Sequence, residues 1–126
     1  MMVDKFYGVE GETAETGLSV KDNNFFIEED GMMAEPGLIE HIAQSASAFA
    51  GHKALVEGLP TPVGYIGEVK KFHCYGRPAV GDELRTKIEM GATVNGVTLL
   101  SGSCYRVNGS ELELVADTQM KIFIEK

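Results

Sequence analysis

The stretch from Pro36 to Gly58 limits what this chain can fold into more than any other segment. It reads as one long helix of mostly small and apolar residues, set among segments that look like strands. Pro36 suits a first helical turn, Gly58 suits the residue just past the last one, and Pro60 and Pro62 stop any continuation. A helix of roughly 20 residues is about 30 Å long. Ala43, Ala46, Ala48, Ala50 and Gly51 are what a closely approaching sheet requires, and packing alone accounts for them.

The remaining segments favour antiparallel strands. Residues 3–10 and 14–27 are strand material, with Gly8, Gly11 and Gly17 in or near the turns, and 62–72 reads as another strand. Leu84, Thr86, Ile88 and Met90 alternate with Arg85, Lys87 and Glu89, the period of a half-buried strand. Asn95-Gly96 follows, then a run from Val97 to Val107, then Asn108-Gly109 and a third run. Asn-Gly between alternating runs predicts type I′ hairpins. In the third run Leu112, Leu114, Ala116, Thr118, Met120, Ile122 and Ile124 are expected on one face. Strands, one long helix and more strands imply a single α+β domain over residues 1–126, its sheet curled around the helix.

The chain of 126 residues is 44% hydrophobic and 24% charged, an ordinary globular composition. No apolar run reaches the roughly 20 residues that cross a bilayer. With no signal-peptide layout, Cys74 and Cys104 are expected to be free thiols in the cytoplasm. The net charge of -8 disfavours nucleic acid, which needs a basic face. Lys70, Lys71, Arg77, Arg85 and Lys87 nevertheless cluster; a solvated strand edge explains them without a partner.

Glu40 and Gln44 are four residues apart, so they share a helical face and can touch. A carboxylate on so apolar a helix is expected to be largely buried, and burial would raise its pKa. Gly37, at the helix start, would offer a free backbone N–H and the positive end of the helix dipole to an oxygen that gains charge. Together these supply an oxyanion donor, an acid or base, and an orienter; a capped helix with a structural Glu–Gln hydrogen bond is the plainer account. His41 points about 100° away from Glu40 and lines up with Ser45, Ala48 and His52, which suits a structural or interfacial role. His52 is explained by the helix C-terminal dipole, and His73 by a surface position, although it could reach a site.

Pro36-Gly37…Glu40-His41-Ile42-Ala43-Gln44 resembles the central helix of the hot-dog-fold 3-hydroxyacyl-(acyl-carrier-protein) dehydratases. Arg77-Pro78-Ala79-Val80-Gly81-Asp82-Glu83-Leu84 is similar to that family's Arg-Pro-Val-x-x-Gly-Asp-x-Leu element, and Phe25-Phe26 to its aromatic pair ahead of the catalytic loop. The resemblance implies a hot-dog fold and loss of water from a 3-hydroxyacyl thioester on phosphopantetheine. It implies no cofactor and no metal. A histidine would remove the α proton, and the helical carboxylic acid, contributed across a dimer interface, would protonate the departing hydroxyl. Glu40 matches the acid, Gln44 its orienter and Gly37 the oxyanion donor. The partners implied are an acyl carrier protein, docking at Lys70, Lys71 and Arg77, and a second copy in a homodimer or higher homo-oligomer.

The chain departs from the pattern at the base. The family's loop histidine falls on Glu28 or Glu29, in Glu28-Glu29-Asp30-Gly31, and the spacing from Pro-Gly to Glu40 is two residues shorter than usual. Three readings follow: a divergent dehydratase whose base is Glu28, Glu29 or a histidine such as His73; a hot-dog acyl thioesterase whose helical carboxylate activates water; or a non-catalytic subunit or acyl-binding partner of an active relative.

Overall fold

A computed structural model describes residues 2–58 and 63–125. The elements are β1 (Lys5–Glu10), β2 (Thr13–Ser19), α1 (Glu35–Glu57), β3 (Val63–Cys74), β4 (Glu83–Val94), β5 (Val97–Asn108) and β6 (Glu111–Glu125). One six-stranded sheet has the order β1-β2-β4-β5-β6-β3, and every neighbouring pair is antiparallel. The helix packs across β2, β3, β4 and β5. This is the expected hot-dog arrangement of one long helix against a curled antiparallel sheet.

The helix boundaries follow local chemistry. Pro36 occupies the first turn beside Glu35, which suits the positive end of the dipole. Gly58 caps the other end at φ 70, where a side chain would be strained, and its N–H returns to Leu55 O at 3.2 Å. Pro60 and Pro62 lie outside the described residues. Leu38, His41, Ile42, Ser45, Ala46 and Phe49 are buried at helical spacing and form the face against the sheet. A close approach is at Gly102 on β5, where a Cβ would stand 2.6 Å from Ile42 Cγ2. Small residues are therefore needed on the sheet as well as on the helix.

Leu84, Thr86 and Ile88 are buried toward the helix, as their alternation predicts. Asn95 and Gly96 take φ 54 and 77, the two positive values a type I′ turn requires. The second hairpin differs: Asn108 pairs with Glu111, so Gly109 and Ser110 form the turn, and Gly109 has φ 63. The connection sits one residue later than Asn-Gly implies.

The third run does not keep one face. Cys104 pairs with Ala116 but Tyr105 with Leu114, so Val115 is an extra residue, a β-bulge. Its side chain is fully buried, and its carbonyl accepts the Tyr75 N–H at 2.7 Å. Because strand side chains alternate, the bulge reverses the facing of what precedes it. Ala116, Thr118, Met120 and Ile122 face the core, while Leu112 and Leu114 are exposed on the other side.

The early strand is also shorter than expected. After Ser19 the chain turns through Asp22-Asn23-Asn24, where Asn24 Oδ1 accepts the Phe26 N–H at 2.9 Å. This local side-chain bond holds a turn beyond the strand end. Gly17 lies within β2, not at a turn; a Cβ there would meet the Tyr7 ring at 3.0 Å. No helix among the described residues is long and apolar enough to cross a membrane.

Candidate functional site

Glu40 and Gln44 lie on the flank of α1, one turn apart, and they touch: Gln44 Nε2 donates to Glu40 Oε1 at 3.1 Å. Both are half-buried in the single chain rather than enclosed, which corrects the expectation of a largely buried carboxylate. The apolar character of the helix misleads here because its buried face is the neighbouring stripe through Leu38, Ile42 and Phe49. Gln44 is satisfied at both ends, since its Oε1 accepts the Met2 N–H at 2.8 Å. No pattern around Met2 signals this contact, which joins residues 42 apart.

Gly37 is buried at the start of α1, and its seat admits no side chain. A Cβ would stand 2.6 Å from Phe26 Cβ and 2.8 Å from Met33 Cγ. Its N–H is not free: it donates to Ala34 O at 2.9 Å. That corrects the premise of an unpaired donor at this position. The first helical turn tightens onto its own N-cap carbonyl because Ala34 has no side chain that can cap.

His41 has the structural role its face predicted. The ring is fully buried; its Nδ1 lies 2.6 Å from Met2 O and its Nε2 2.6 Å from Thr86 Oγ1. Burial pushes its pKa below the ordinary histidine value, against the pull of the Met2 carbonyl and Asp4. A peptide carbonyl has no proton to give, so the neutral ring carries its hydrogen on Nδ1, and Nε2 accepts from the Thr86 hydroxyl. One turn on, Ser45 donates to His41 O at 2.8 Å and sits 2.7 Å from the Thr16 hydroxyl. His52 is exposed and stacks obliquely against Phe6, with ring centroids 5.1 Å apart.

His73 lies on the other side of the sheet from the helix. Phe72 and Cys74 pack toward the core, so His73 between them points outward. There its Nδ1 meets Asp117 Oδ1 at 3.1 Å, and the Tyr75 hydroxyl donates to Asp117 Oδ2 at 3.0 Å. Among the described residues no hydrogen bond or ion pair joins it to Glu40. Burial raises both thiol pKa values, that of Cys104 to about 11, so neither is an activated nucleophile.

The segment ahead of the helix and the Arg77–Asp82 element meet directly. Met33 N–H donates to Pro78 O at 2.8 Å and Val80 N–H to Gly31 O at 3.0 Å. Arg77 completes the joint. Its Nε donates to Met33 O at 2.9 Å, and its other nitrogens pair with Glu28 and with Asp30, the latter at 3.1 Å. Asp82 accepts the Ala79 N–H at 2.8 Å and pairs with Arg106 at 3.2 Å. Glu28 is thus held by Arg77, and Glu29 is exposed beside it. Among the described residues no hydrogen bond or ion pair joins either one to Glu40. Lys70 and Lys71 are exposed on β3, an edge strand of the sheet, apart from the engaged Arg77. A groove of about 600 Å³ lies over β1, β2 and Lys87 and includes none of these residues.

Residues 1–125 match the ApeP-like family, described as ApeP dehydratase. Among solved structures, the dehydratase heterocomplex ApeI:P from Xenorhabdus doucetiae aligns with a TM-score of 0.88 at 11% identity, over 100% of this chain and 84% of that one. A Streptococcus mutans protein bound to acetyl CoA aligns at 0.71 with 10% identity, over 97% and 90%. A hypothetical thioesterase from Streptococcus pneumoniae aligns at 0.70 with 12% identity, over 95% and 88%. At such identities these likenesses speak for the fold alone. No curated protein sequence matches. The family match spans nearly the whole sequence, and the chain belongs to the ApeP-like dehydratase family.

Proposed function

We propose that this member of the ApeP-like dehydratase family acts on 3-hydroxyacyl thioesters held on phosphopantetheine and supplies the acid half of a dehydration site. The base takes the proton from the carbon next to the thioester carbonyl. The bond from C3 to oxygen breaks, Glu40 delivers its proton to the departing hydroxyl, and water and the enoyl thioester result. Gln44 orients the carboxyl group. The positive end of α1 favours the enolate-like oxygen, with Gly37 keeping the entering loop close to the helix start.

One observation carries this reading. The acid and its orienter are in contact, whereas the loop where a base is expected binds Glu28 and Asp30 to Arg77. We place the base on a second chain. The similar Xenorhabdus doucetiae structure is a dehydratase heterocomplex, which supports a two-chain site. The test is enoyl formation from a 3-hydroxyacyl carrier-protein thioester, with this chain alone and mixed with a hot-dog subunit that carries a loop histidine. Turnover is expected in the mixture and lost in Glu40→Gln. Turnover by this chain alone would move the base back to its own residues, Glu28 or Glu29. No enoyl product in either case removes the dehydratase reading.

A half-buried helical carboxylate with no loop histidine also suits acyl-thioester hydrolysis. Thiol release from acyl thioesters, abolished in Glu40→Gln, would favour that alternative. Carrier-protein docking rests on Lys70 and Lys71 more than on Arg77, which is engaged by the loop. Affinity for an acidic carrier protein should weaken as salt rises, and a salt-independent affinity argues against this docking mode.

A further inference from the structure

We propose that the main chain at Met2 decides which oxygen of Glu40 carries the acidic proton, an inference that rests on reading Glu40 as the acid. A peptide N–H can only donate, and that of Met2 lies 2.8 Å from Gln44 Oε1. The amide oxygen must face it, so the amide nitrogen faces Glu40 and donates to Oε1 at 3.1 Å. In a carboxylic acid the carbonyl oxygen is the better acceptor. Oε1 therefore takes the carbonyl role, and the proton sits on Oε2, the oxygen turned away from Gln44. Without the Met2 N–H, the amide can turn over and present its oxygen to Glu40. The acidic proton would then be held on Oε1 in a bond within the helix, directed away from substrate.

Met2 is itself clamped from the core. Its carbonyl accepts from His41 Nδ1, and His41 Nε2 accepts from Thr86, both at 2.6 Å. Its side chain is buried at 5% exposure, with the sulfur 3.3 Å from Asn24 Nδ2. Every donor in the series Thr86, His41, Met2, Gln44 points toward Glu40. The direction of each bond is settled by its neighbour, beginning at a peptide carbonyl that cannot donate and a peptide N–H that cannot accept. Thr86, His41 and Met2 are positioning residues in this arrangement, and none of them touches the reacting atoms.

Met2→Pro tests the inference, because it removes the N–H and keeps the carbonyl; Met2→Leu keeps both. In the assembled enzyme, Met2→Pro should lower kcat about 10- to 100-fold with KM unchanged, and Met2→Leu should match the parent. An unchanged kcat in a folded Met2→Pro overturns the inference. Should that variant fail to fold, the parent protein supplies the second readout. By NMR, its Gln44 side-chain NH2 protons should exchange slowly with solvent and show no NOE to the Met2 amide proton beyond that expected with the oxygen facing it; exchange as fast as that of a free side-chain amide overturns the inference equally. Glu40→Gln separates the two ideas. Full activity there removes the acid itself, and the assignment of its proton with it. Loss of activity there, with Met2→Pro unaffected, removes only the role of Met2.

Discussion

At the scale of single residues, two buried positions on α1 lie near Glu40 in sequence, Gly37 and His41. Gly37 leaves no room for a methyl group between Phe26 and Met33, because the contacts at 2.6 and 2.8 Å are far inside van der Waals distance. Gly37→Ala should therefore destabilise the protein by about 1–3 kcal/mol, read from urea unfolding midpoints. His41 gives the stability a pH dependence. Its imidazole stays neutral in the fold because burial depresses its pKa, whereas the unfolded chain protonates near pH 6.5. Below about pH 6.5 the unfolded state binds a proton that the folded state resists, so stability falls as pH drops toward the folded value. Above that pH the contribution is level. Unfolding free energies measured from pH 8 to pH 5 should show this slope, and His41→Asn should flatten it. Glu40, Gln44 and the placement of His41 off their face were legible from helical spacing. The engaged N–H of Gly37 was not, since it depends on which residue caps the helix.

At the scale of elements, the joint between the pre-helix loop and the Arg77–Asp82 segment sets where α1 begins. Backbone bonds from Met33 and Val80 cross it, and Arg77 ties both sides together. Arg77→Met should cost about 1 kcal/mol through the lost bond to the Met33 carbonyl. The exposed ion pairs with Glu28 and Asp30 add little. Amide exchange at Met33 and Val80 should quicken in that variant, while exchange in β4 and β5 stays unchanged. Equal protection in both proteins would show that the backbone pairs alone hold the joint. The paired motifs could be seen in the sequence, but not that Glu28 would be drawn to Arg77.

At the scale of the whole molecule, β3 ends the sheet with one side unpaired among the described residues. A strand of 12 residues is a long open edge, and such edges pair or are blunted. Lys70 and Lys71 blunt it only partly. Edge-to-edge association with a second hot-dog chain is therefore expected. Sedimentation at micromolar concentration should give a dimer mass, for this chain alone or with a histidine-bearing relative. A monomer in both cases would count against a two-chain site.

Sequence alone determined whatever repeats at short range. The limits of α1, the first hairpin and the inward face of β4 follow from caps, turn residues and periods of two or 3.6 residues, which act between near neighbours. Tertiary structure decided the rest. The bulge at Val115 reverses a run of perfect alternation, and its carbonyl accepts the N–H of Tyr75, 40 positions away in the chain. The loop carboxylates turn to Arg77 because the fold brings residues 49 and 47 positions apart together. The Gln44 amide takes its direction from a peptide N–H on Met2. Helical spacing put Glu40 and Gln44 in contact; only long-range packing shows that Gln44 also meets the main chain of Met2.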